Sequence, residues 1–103
     1  MNAKESIATN ALLDLLESRY AMRVLLALKD GHAQTFRLLQ DTVGNITPNT
    51  LKTRLKELRE AGLVTHNSGG YSTTPLGADL IKRLCDLPAF ALKWSAACSK
   101  KRP

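Results

Sequence analysis

Apolar positions in this chain recur three and four apart, and short polar breaks separate the runs. Ile7, Ala11, Leu12, Leu15 and Leu16 share one face, and Ser6 is placed to cap a helix reaching about Glu17. In "SRYAMRVLLALKDG", Tyr20, Val24, Leu25 and Leu28 keep the helical spacing until Asp30-Gly31 turns the chain. Apolar residues nearly encircle this segment, which predicts the central helix of the core. "QTFRLLQDTVGN" offers Thr35 as a cap, a short stripe of Phe36, Leu39 and Val43, and a stop at Gly44-Asn45. Two residues later Thr47 caps another helix, with Pro48 at its first position, where a missing N–H is harmless. That helix runs to about Ala61 and ends at Gly62.

A short helix, a tight turn and a longer helix in succession have the layout of a helix-turn-helix. "LVTHN" and "GYSTT" then read as two short strands joined through Ser68-Gly69-Gly70. Thr74-Pro75 repeats the cap-plus-proline start, for a helix to about Leu87 that buries Leu76, Leu80, Ile81 and Leu84. Pro88 breaks the chain, and "AFALKWSAAC" forms a last helix over about residues 89–98 with Phe90 and Trp94 four apart. The "SKKRP" tail, residues 99–103, is expected to fray. The pattern predicts a single domain over 1–103, mainly α with a small β-hairpin.

The helix after Thr47 carries the most information. With about 100° between residues, Leu51, Leu55 and Leu58 form one edge. Asn49, Thr53, Lys56 and Glu60 lie opposite, with Lys52 beside them, and Arg54 and Arg59 flank the leucines. Bases come early and acids late, the reverse of what the helix dipole favours. An external anion explains that order. A helix in the major groove presents its N-terminal residues to base edges, and carboxylates there would meet phosphate. The plainer alternative is an ordinary solvated face with ion pairs three and four apart.

Charge shifts the balance towards the anion. Fifteen Lys and Arg stand against nine Asp and Glu, for a net charge of +6 and a pI near 9.7, which fits nucleic acid or an anionic surface. No apolar run approaches the roughly 18 residues of a membrane span, and "MNAKESIATN" lacks a signal-peptide core. Cys85 and Cys98, thirteen apart, have no zinc spacing. They read as reduced thiols of a cytoplasmic protein, with a redox or intersubunit disulfide role as the alternative. No catalytic set is visible. His32 follows a turn glycine, His66 is a strand residue or a phosphate contact, and Ser68-Gly69-Gly70 is a hairpin tip rather than a phosphate cradle. Asp79 and Asp86 read as solvated, and Trp94 as aromatic core or part of an effector pocket. No enzyme, metal or cofactor is implied.

From "LLDLLESRYAMRVLLALKDG" through "FRLLQDTVGNITPNTLKTRLKELREAGLV" to "YSTTPLGADL", about three quarters of the chain resembles the HxlR-type winged helix-turn-helix regulators, within the wider MarR-like group. Tyr71, Thr74 and Gly77 match the family's wing-to-helix junction. The resemblance implies a winged helix-turn-helix with extra terminal helices, and a homodimer on a pseudo-palindromic operator in double-stranded DNA. The dimer would use the terminal helices, here with Leu12, Leu16, Phe90 and Trp94. The DNA contacts expected are Thr35 and Arg37 on the supporting helix, and Thr47, Asn49, Thr50, Lys52, Thr53, Arg54 and Lys56 around the recognition helix. The wing "THNSGGYSTT" is shorter than the family's and carries no Lys or Arg. Redox-sensing relatives use a cysteine near the N-terminus, and none stands here. A winged-helix module that docks proteins without specific DNA binding is the competing reading.

Overall fold

The computed structural model describes residues 1–84 and 86–101. The expectations for Cys85 and for the last two residues of the tail lie outside them. The order is α1 (Ala3–Glu17), α2 (Ala21–Ala27), α3 (Phe36–Val43), α4 (Pro48–Glu60), β1 (Val64–Asn67), β2 (Gly70–Thr73), α5 (Pro75–Arg83) and α6 (Leu87–Lys101). This is a mainly helical winged helix-turn-helix with helices added at both ends.

Three helices start on the threonine caps read from the sequence. Thr35, Thr47 and Thr74 each accept a backbone N–H three residues on, from Leu38, Thr50 and Gly77. Pro48 and Pro75 occupy the first turns of α4 and α5. α1 begins earlier than expected because Asn2, not Ser6, caps it by accepting from the Glu5 N–H at 2.8 Å. The second helix begins later, at Ala21. Tyr20 takes a left-handed conformation (φ 73°) and breaks the path from α1. Its hydroxyl donates to the Asn45 carbonyl at 3.1 Å, and so holds the turn between α3 and α4. Asn45 and Gly44 have the positive φ expected of them.

The core is α2 with α1, α3, α4 and α5 packed around it. Val24, Leu25 and Leu28 pack with Leu39 of α3, Leu51, Leu55 and Leu58 of α4, then Leu63, Val64 and Ile81. Leu76 departs from expectation: it faces outward at 60% exposure, because Gly77 and Ile81 make the inner face of α5. A Cβ on Gly77 would overlap the Leu63 carbonyl, so glycine lets α5 press against the base of the wing. α5 ends at Arg83, short of Leu87. Pro88 does not break the last helix but lies in the first turn of α6, where proline is tolerated. The last helix runs through Lys101, into the tail segment.

β1 and β2 are antiparallel, Val64 opposite Thr73 and Asn67 opposite Gly70. Gly70 belongs to the strand, so the turn is Ser68-Gly69. Tyr71 also exchanges both backbone hydrogen bonds with Gln34, at 2.7 and 2.8 Å, adding a third strand one bridge long. A Cβ at Gly70 would strike the Gln34 backbone. The hairpin is thereby fixed to the residue just before the α3 cap.

Candidate nucleic-acid interface

The outer side of α4 is laid down by its inner side. Leu51, Leu55 and Leu58 are fully buried, which turns Asn49, Lys52, Thr53 and Lys56 to solvent. None of the described residues covers that surface. Lys52 and Lys56 have no ion pair among the described residues. The first turn carries no acid, so the positive end of the helix and Lys52 present positive charge together at the start of α4. Lys52, Thr53 and Lys56 line a shallow depression of about 370 Å³, closed towards the helix C-terminus by Glu57 and Glu60.

The threonines are partly committed within the helix. Thr47 donates to the Thr50 hydroxyl at 2.9 Å while capping the helix, and Thr50 is half-buried. The Thr53 hydroxyl donates to the Asn49 carbonyl at 2.9 Å, leaving its methyl and lone pairs outward. The Asn49 side chain is exposed. Arg54 flanks the leucine edge, as the helical spacing predicts. Its side chain, 20% exposed, pairs with Glu57 one turn on. Its Nε is buried and makes no hydrogen bond among the described residues. As placed, it lies along the core edge rather than with Lys52 and Lys56.

Thr35 and Arg37 are both exposed at the start of α3. Thr35 shares a cleft of about 420 Å³ with Lys52 and with His66, Asn67 and Tyr71 of the wing. Supporting helix, recognition helix and wing therefore meet on one side of the molecule. Arg37 lines neither depression. The sequence missed the joint that builds this cleft: Gln34 is an unremarkable glutamine in a loop, and no local pattern marks a one-residue strand.

The residues expected at a dimer interface fall into two places. Leu12 lines an apolar groove of about 430 Å³ with Leu15, Leu63, Leu76 and Leu80, and Leu16 packs against the core. Phe90 and Trp94 stand on α6, about 60% exposed, and do not line that groove. Cys98 is a free thiol on the same helix. No helix of the described residues is long and apolar enough to cross a membrane, and no metal-ligating cluster occurs among them.

A capped recognition-type helix, a supporting helix and a β-wing, meeting on a basic face, define the winged helix-turn-helix class of DNA-binding regulators. The family model described as HxlR-like helix-turn-helix matches residues 15–99, and the chain belongs to that family. The solved structure of quinone-bound YodB from B. subtilis is similar, at TM-score 0.73 and 26% identity, covering 84% of this chain and 97% of that one. A possible HxlR family transcriptional factor from Thermoplasma volcanium GSS1 aligns at TM-score 0.69 and 26% identity, covering 87% and 83%. The fold also matches a MarR family regulator from Enterococcus faecalis V583, at TM-score 0.73 and 21% identity over 97% and 94%. A search of curated proteins gave no significant match. Family and fold are those of transcriptional regulators.

Proposed function

We propose that this chain binds specific sequences in double-stranded DNA as a homodimer and regulates transcription in the cytoplasm. One observation carries the reading: Asn49, Lys52, Thr53 and Lys56 stand uncovered on the first turns of α4 while three buried leucines hold the helix from behind. Lysines there reach phosphate or guanine, and an asparagine can bond adenine in two places. Thr35 and Arg37 at the start of α3 supply phosphate contacts, and the Thr47 and Thr50 caps lie at the backbone end of the groove. A dimer places two such helices on the half-sites of a pseudo-palindrome.

A selection of bound genomic fragments, followed by a mobility shift on the enriched sequence, tests this. Retarded specific duplex at physiological salt, outcompeted only by the same sequence, is the expected result. Salt-labile smearing on every fragment alike overturns it and favours a protein-docking module.

A further inference from the structure

The wing poses a problem for DNA binding that the rest of the face does not. Residues 64–73 read "VTHNSGGYST", without a lysine, an arginine or a carboxylate. One side chain there, His66, can gain a positive charge. It is exposed on β1, and its ring lies flat on Tyr71 with centroids 4.0 Å apart and planes 3° apart. One ring face is covered, so the orientation of the imidazole is held while its edge stays open. The neighbouring turn is fixed as well, since the Gly69 N–H donates to the Asn67 side-chain oxygen at 2.9 Å. Through the Gln34 bridge the hairpin is tied to the cap of α3. His66 is therefore held in a defined place, in the cleft that also receives Lys52.

We propose that His66 is the wing's contact to a DNA backbone phosphate and that it makes this contact as the imidazolium, so that binding duplex takes up a proton. The inference rests on the DNA-binding reading above. The groups facing the imidazole decide its sign. α4 contributes Lys52 and β2 contributes Tyr71, while α3 contributes Thr35 and Phe36, which do not titrate. No carboxylate lines the cleft. The cleft thus offers an imidazolium no anion among its lining residues. A phosphate in the cleft supplies the missing anion to Lys52 and to an imidazolium at His66, and the imidazolium also sits favourably on the Tyr71 ring face. The bound state holds the proton more tightly than the free state, so affinity falls as pH rises through the imidazole range.

The test measures affinity for the selected duplex between about pH 5.5 and about pH 8, for the wild type, His66→Gln and His66→Arg. The wild type should weaken about tenfold per subunit across that range, with a salt slope steeper by about one phosphate at the acid end. His66→Gln should lose this dependence and match the wild type's alkaline affinity. His66→Arg should hold the acid-end affinity throughout. The exposed site leaves the melting curve of His66→Gln unchanged, which separates a lost contact from a lost fold. Imidazole nitrogen spectra near neutral pH supply a direct readout: adding duplex should move His66 towards the doubly protonated pattern. A wild type that binds tightly with no pH dependence, or a His66→Gln variant that keeps all of it, overturns the inference and leaves the DNA-binding reading standing. Absence of specific binding at any pH overturns both.

Discussion

Single side chains on α4 divide between those that face out and those that serve the helix itself. Lys52 and Lys56 are exposed and unpaired among the described residues, whereas Arg54 is held by Glu57 along the core edge. The difference is testable because released counterions are countable: each phosphate contact contributes about 0.9 to the slope of log K against log salt. Lys52→Ala with Lys56→Ala should flatten that slope by about two per subunit without changing the fold. Arg54→Ala should leave it unchanged. A salt titration in which Arg54→Ala lowers the slope as much as a lysine replacement would put the guanidinium in the groove. Gly77 gives a residue-scale prediction about stability. Its added methyl would meet the Leu63 carbonyl, a backbone atom held in place by the Thr74 N–H at 3.1 Å. Gly77→Ala should therefore cost about 1–3 kcal/mol or more, as overpacking does. A melting transition unchanged from wild type would show that α5 can slide.

At the scale of elements, α4 owes its place more to packing than to its own helix preference. A helix of 13 residues is marginal alone in water, so Leu51, Leu55 and Leu58 must anchor it. Leu55→Ala should cost about 2–5 kcal/mol, read from the denaturation midpoint, and should weaken DNA binding only as far as it unfolds the protein. A native melting curve would mean that the buried edge is not where the leucines are. How far the elements were legible follows from where their signals lie. The α3–turn–α4 unit was readable to within a residue because its stops are chemical: hydroxyl caps, a proline at the first turn, Gly44-Asn45 and Gly62. α5 was misjudged at Leu76, since a helical period fixes a stripe but not which side of it a neighbouring glycine presses inward. The Tyr20 break and the Gln34 bridge were invisible for another reason. Both are held by partners far along the chain, Asn45 and Tyr71, and no window of sequence contains such a pair.

The whole molecule is looser than its core. The radius of gyration is 15.4 Å, against about 13 Å for a compact domain of this length. α1 has no buried residue, and α6 turns Leu87, Phe90, Leu92 and Trp94 to solvent. A short chain buries a small share of its surface, and an aromatic and aliphatic surface of this kind marks a contact with another molecule. In the proposed homodimer, α6 of each subunit would cover apolar surface on the other. Phe90→Ser with Trp94→Ser should then give a monomer. Light scattering at micromolar concentration would report the mass of one chain where the wild type reports two. Circular dichroism should stay helical, because neither side chain belongs to the core around α2. DNA binding should weaken by more than the lost contacts explain. Two half-sites held together bind about 10²–10⁴ times better than one alone, and that gain disappears with the second subunit. A double variant that keeps the wild-type mass would place the interface elsewhere, with the apolar groove beside Leu12 and Leu76 the next surface to substitute.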